Sequence, residues 1–201
     1  MQRGKRTAVM NESDNKAAQA ASLALKIAEN REYTIIAVDG MCGSGKTTFA
    51  KALSELLGAT VIHADDFFLP PEMRTPERLG TPGGNIHYER LKEQVIDRLR
   101  KPEAFSYDVF DCSKGRISET RTVENRHFTV IEGSYSHHPA LGDYADIKIF
   151  MQTSPETQLE RIKRRNGEKA AEVFKAKWIP LENRYFDFYK IKEKADYTVN
   201  T

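Results

Sequence analysis

The sequence predicts an α/β fold in three layers: a mostly parallel sheet, helices on both faces, and a small lid and hairpin insert. Three observations predict it. A short β-prone run at residues 33–38 enters a glycine-rich turn and leaves it as a helical pattern. Apolar runs of strand length recur at 60–64, 128–133 and 146–151. Stretches with helical spacing separate these runs, the alternation that parallel strands with crossover helices need.

Residues 1–10 are polar and basic without periodicity, so 1–12 reads as a flexible tail in which Arg3, Lys5 and Arg6 are solvated charges. Order is expected from near Ser13. An alanine-rich stretch at 14–31 suits a helix beside the sheet edge, with Leu23, Leu25 and Ile27 as its larger apolar residues.

The turn after the first strand carries the most chemistry. Gly40, Met41, Cys42, Gly43, Ser44, Gly45, Lys46 and Thr47, with Thr48 behind them, fit a phosphate-binding loop. The glycines let backbone N–H groups turn inward around phosphate oxygens, Lys46 adds a point charge, and the Thr47 hydroxyl is placed for Mg2+. The helix starting near Lys46 directs its positive end to the same point. Phe49, Ala50, Leu53, Leu56 and Leu57 recur with helical spacing up to a stop at Gly58. A glycine turn with a surface lysine is the bland alternative, and agreement of strand, loop and helix weighs against it. Cys42, beside phosphate-directed amides and a helix start, is expected to favour its thiolate if it is accessible.

The second strand, 60–64, runs directly into Asp65, Asp66, Phe67 and Phe68. Two carboxylates then stand at a strand's C-terminal end, where open parallel sheets bind ligands. A turn aspartate accounts for one of them more easily than for both. Consecutive residues leaving a strand point to opposite sides, so one of the pair can face an acceptor as base while the other, Asp66 in the expected arrangement, helps hold Mg2+ through water; spacing alone leaves open which is which.

Residues 69–85 are rich in proline, glycine and charge and read as a mobile substrate loop, with a plain surface excursion as the alternative. Leu91, Val95 and Leu99 restore helical spacing before Pro102. Aromatic and polar residues alternate at 105–112, and the stretch through Val123 completes a small strand pair that either walls an acceptor pocket or simply packs. The run 128–133 carries Glu132 at its end, where a carboxylate reaches Mg2+ directly or through water.

After the strand at 146–151, Ser154 and Pro155 supply an N-cap and a first-turn proline. Arg161, Arg164 and Arg165 share one helical face, either a clamp for a transferred phosphoryl group or a solvated basic face paired with Glu160 and Glu168. Closing helices are expected at 169–177 and 179–191, and a last strand at 196–199. Residues 13–201 then form one domain, with 69–123 its substrate loop, helix and hairpin region and 154–178 its lid-like helical region.

Composition bounds the function classes. At 201 residues, 39% hydrophobic and 30% charged, the chain supports one domain with a sizeable core. Thirty-one basic against 29 acidic residues leave +2, no field to recruit nucleic acid or an anionic membrane, and aromatic and basic residues are not interleaved as a nucleic-acid platform. No run reaches membrane-spanning length or reads as a signal or transit peptide. Two distant cysteines make neither a disulfide framework nor a metal site, so a cytoplasmic setting is expected.

The joint pattern of Gly40 to Thr47, Ala64-Asp65-Asp66-Phe67-Phe68, Val130-Ile131-Glu132-Gly133 and the arginine helix resembles the uridine kinase-like branch of P-loop kinases, which includes pantothenate kinases and phosphoribulokinases. The resemblance runs over about residues 33–199. It implies an ATP- and Mg2+-dependent kinase whose acceptor is a small-molecule hydroxyl, foremost that of a nucleoside such as uridine or cytidine. Asp65 matches the family's acceptor base, with Phe67 and Phe68 following, and Arg161 and Arg164 match its phosphate-contacting lid arginines. Tyr107-Asp108 resembles the element that contacts the pyrimidine, while Cys112 stands about where a base-recognising histidine is expected. The family's ribose-binding aspartate falls near 85–87, where His87 is present and no carboxylate is. The alternatives are a non-nucleoside acceptor such as pantothenate, or a nucleotide-gated regulatory module with no small acceptor. The implied partner is a small molecule, without nucleic acid or membrane; a homo-oligomer stays open.

Overall fold

The computed structural model describes residues 12–124 and 126–201; the expected tail, through residue 11, lies outside them. Five strands build the main sheet: β1 (Thr34–Gly40), β2 (Thr60–His63), β5 (Phe128–Glu132), β6 (Ile147–Gln152) and β7 (Tyr197–Asn200). Their order is β2-β5-β1-β6-β7, and every neighbouring pair is parallel. The first strand is therefore central, which explains why all seven of its residues are buried.

The period-two pleat sends successive side chains into two different cores. Ile36 and Val38 join α1 (Glu12–Ala28) and α2 (Lys46–Leu57) on one face, whereas Ile35 faces α4 (Tyr88–Gln94) and α7 (Ile179–Tyr189) on the other. Helix α2 stops at Gly58, whose left-handed φ of 64° lets its N–H reach the Ser54 carbonyl.

Helix α1 lies across the sheet face and not at its edge. Its buried residues are Ala17, Ala20, Ala21, Ala24 and Ala28, packed with Phe49, Ile149 and Met151, while Leu25 is exposed. The alanine stripe is the centre of the contact face, because small side chains let the helix approach closely, with Leu23 and Ile27 packed at its margin.

The insert forms a separate two-stranded antiparallel sheet, β3 (Phe105–Asp111) and β4 (Arg116–Val123), with an irregularity between Val109 and Phe110. Residues 69–85 contain a 3₁₀ turn (Pro71–Met73) and a short helix, α3 (Pro76–Gly80). Arg78 cross-braces them by donating to the carbonyls of Gly84 and Ile86, to Tyr88 and to Glu89. None of residues 69–85, the expected substrate loop, lines the cleft described below.

Toward the C-terminus come α5 (Pro155–Asn166), α6 (Glu168–Val173) and a five-residue π-helical turn (Phe174–Trp178) that leads without a break into α7. Ser154 caps α5 by accepting from the Thr157 N–H, as its position predicts.

Candidate active site

A cleft of about 740 Å³ opens at the C-terminal ends of the main-sheet strands, the position that parallel sheets reserve for ligands. Its floor is the loop after β1. Gly40 is required there for space as well as conformation: its φ is 137°, and a Cβ would lie 2.0 Å from the Met151 carbonyl oxygen on β6.

The loop amides divide into two groups. Four are taken by the protein: Gly40 N–H donates to Asp39, Met41 N–H to the Met151 carbonyl, Cys42 N–H to Glu182, and Ser44 N–H to the Met41 carbonyl. The amides of Gly43, Gly45, Lys46, Thr47 and Thr48 have no acceptor among the described residues. Left-handed Gly43 and Gly45, with φ of 75° and 87°, form the turn that presents this second group, and the helix N-terminus follows at once. Such a nest fits a phosphate chain.

Lys46 is buried and donates to the carbonyls of Gly40 (2.8 Å) and Met41 (2.9 Å), which hold its ammonium at the loop. The Thr47 hydroxyl donates to Glu132 Oε1 at 3.1 Å, so two of the three expected Mg2+ residues meet. The register pairs His63 with Glu132 across β2 and β5, and His63 Nδ1 lies 2.6 Å from the same Oε1. Hydrogen bonding to this carboxylate raises the His63 pKa despite partial burial.

Asp65 faces the cleft and lies open to it, yet the walls crowd its carboxyl. Loss of solvent pushes its pKa up to about 6, with Lys46 opposing and Glu132 and Glu182 adding to the rise. Gly133 makes the close approach possible, since a Cβ there would meet Ala64 at 2.8 Å and Asp65 Oδ1 at 3.2 Å.

The adjacent carboxylate turns elsewhere. Asp66 accepts from Tyr107 Oη (3.0 Å) and from Arg121 (2.9 Å), and it does not line the cleft with the other expected Mg2+ residues, Thr47 and Glu132. The cause is local: residues 64–67 form a 3₁₀ turn, so neighbouring side chains diverge by about 120°. Tyr107 is buried against Phe67, the rings 5.3 Å apart, and Phe67 itself is fully buried. His87 caps α4, its Nδ1 accepting from the Arg90 N–H at 3.2 Å. Of the expected acceptor contacts, Phe67, Tyr107 and His87 do not line the cleft, whereas Phe68 does.

Arg161, Arg164 and Arg165 all line the cleft from α5. Arg161 is anchored, donating to the Gly43 carbonyl (3.2 Å) and Thr201 (3.0 Å). Arg165, on the same helical face but not among the arginines that the resemblance matches, lies near enough to Asp65 to lower its pKa.

Glu182, Ser134 and Phe174 were also missed. Glu182 had a legible signal: with buried Tyr185 and Phe186 and half-buried Tyr189 it forms an i, i+3, i+4, i+7 stripe, an acid in line with aromatics.

Cys42 reverses the expectation of a favoured thiolate. It is 8% exposed, and burial, followed by the Glu182 charge, drives its pKa far up, with Lys46 opposing only in part. Alkylation of the native protein at neutral pH should therefore label exposed Cys112 and spare Cys42, with or without ATP. Peptide mass mapping checks this; labelling of Cys42 at the Cys112 rate would contradict it.

Residues 36–179 match the family model described as AAA domain. The chain is 32% identical over 153 residues to the uridine kinase of Ligilactobacillus salivarius, covering 70% of each chain. It is 27% identical to the cytidylate kinase of Ignicoccus hospitalis, across 84% of this chain and 90% of that one. Its fold is shared with a possible uridine kinase from Bacillus stearothermophilus, with a TM-score of 0.71 at 20% identity over 94% of this chain and 99% of the other.

Proposed function

We propose that this chain, which belongs to the AAA-domain family and to the uridine kinase-like P-loop kinases, transfers the γ-phosphoryl group of ATP to a hydroxyl of a small metabolite. The observation that carries the reading is Asp65: a carboxylate open to the cleft, beside the phosphate loop and within the field of Lys46. A switch protein needs no such base opposite its nucleotide.

Catalysis of this reaction is positioning and charge neutralisation. The open amides and Lys46 hold the phosphates. Asp65 orients the acceptor hydroxyl and takes its proton as the acceptor oxygen bonds to phosphorus and ADP leaves. Arg164 and Arg165 offset charge on the transferred group, while Arg161 steadies the loop through the Gly43 carbonyl.

The donor set suits Mg2+. Thr47 and Glu132 bring hard oxygen atoms together, which suits an ion that takes its other ligands from phosphate and water. When bound, Mg2+ supplies charge stabilisation to the phosphate oxygens. Glu132→Gln should raise the Mg2+ concentration for half-maximal turnover about tenfold or more. A metal titration of kcat checks this, and an unchanged midpoint would remove Glu132 from the site.

For the acceptor, the family points first to a nucleoside such as uridine or cytidine. One observation favours a second reading, a non-nucleoside such as pantothenate or a sugar alcohol: Tyr107 and His87, the candidates for nucleoside contact, are absent from the cleft lining. ADP release screened against all three classes decides between them. Release that no acceptor stimulates would leave only the nucleotide-gated module. A cytoplasmic setting, with ATP at hand and both cysteines free, fits the kinase reading.

A further inference from the structure

Glu182 is a buried carboxylate inside a site built to attract anions, and the reaction above gives it no task. Its Oε2 accepts from the Cys42 N–H at 2.9 Å and its Oε1 from the Ser134 hydroxyl at 2.7 Å. Ser134 in turn lies 3.2 Å from the Gly40 carbonyl, and its chain position is two residues past Glu132. One side chain on α7 thus ties the loop after β1 to the loop after β5. The other side of Cys42 is fastened too, since the buried Gln158 of α5 donates to its carbonyl at 2.9 Å.

The contact falls at a boundary. Cys42 carries the last of the three leading amides that the protein itself satisfies, and the open amides begin at Gly43. A charge in this place repels phosphate and costs desolvation, so fixing the loop has to offset both. We infer that Glu182 is a positioning residue: by holding the Cys42 N–H to one side and bracing it on Ser134, it sets the loop so that the following amides converge on phosphate. This rests on the reading of the loop as an ATP site.

The test compares ATP affinity, by calorimetry, and KM for ATP in the full chain and two variants. Glu182→Met fills similar space and cannot accept either hydrogen bond, so ATP affinity should fall about 10- to 100-fold, the range for losing a hydrogen bond to a charged group. Glu182→Gln retains an acceptor for the Cys42 N–H and should recover most of that loss. A residue that merely held the fold would lower Tm in both variants and leave ATP affinity untouched, which overturns the inference. Equal or tighter ATP binding by Glu182→Met overturns it as well, because the carboxylate would then be competing with phosphate. Wild-type chain that binds no ATP would sink the reading of the loop itself, a result distinct from either.

Should Glu182→Met fail to fold, amide exchange in the wild type decides. The Cys42 amide should stay protected when ATP and Mg2+ bind, while Gly43 and Gly45 gain protection. Loss of Cys42 protection on binding would mean that phosphate displaces Glu182, and the inference fails.

Discussion

Lys46→Ala is expected to abolish turnover and leave the protein folded. Its ammonium is held at the loop by the Gly40 and Met41 carbonyls, and the other cations on the cleft, Arg161, Arg164 and Arg165, all come from α5. Nothing nearby on the loop replaces it. An essential phosphate contact contributes several powers of ten to the rate, each worth about 1.4 kcal/mol of barrier. The fold should survive because Met41 O still accepts from the Ser44 N–H, and the Ser134 hydroxyl, 3.2 Å from Gly40 O, can turn to it from Glu182. Steady-state kcat and a melting curve on the same sample check both halves. Wild-type turnover at an unchanged Tm would remove Lys46 from the mechanism.

The phosphate loop and its flanks were legible because their chemistry leaves little choice of residue. Backbone donors can face an anion only where Gly40, Gly43 and Gly45 permit positive φ or close approach, so the function is written in the glycine spacing. Glu132 was legible for a related reason. It ends a run of buried residues, and an acid at the exit of a buried strand has one open direction, the ligand side of the sheet.

The acceptor side was not legible. Alternation of aromatics in 105–112 shows that one face of a strand is buried but not what buries it, and Tyr107 is spent on Phe67 and Asp66. His87 is a cap, a role set by the start of α4 that its isolated position in the sequence does not reveal. The helical stripe marks Glu182 as an inward-facing acid, but its partner, Cys42, lies 140 residues away in the chain and is set by tertiary packing. Cys42 failed for an electrostatic reason: a position beside phosphate-directed amides favours a thiolate only when solvent and cations reach it, and here a buried carboxylate does.

Asp65→Asn should separate catalysis from stability in opposite directions. Asparagine keeps the size of the side chain and can still bond to a hydroxyl but cannot take its proton, so kcat should fall by about 10²–10⁴ with ATP affinity near normal. In the wild type, kcat/KM should decline on the acid side with a midpoint near the carboxyl's value of about 6. Stability runs the other way. Because folding raises this pKa from 3.8 to about 6, the folded chain holds a proton across that window that the unfolded chain has released. The stability linked to that proton is therefore lost as pH rises through the window, and above it a crowded charge opposes folding. Without nucleotide or metal, Asp65→Asn should melt higher than wild type at mildly alkaline pH, and the two curves should converge as pH falls toward 3.8. Asp66→Asn is the control: it weakens the half-exposed Arg121 pair, worth about 0–1 kcal/mol, keeps an acceptor for Tyr107, and should leave kcat close to wild type. If Asp66→Asn instead loses turnover while Asp65→Asn keeps it, the base has been assigned to the wrong carboxylate.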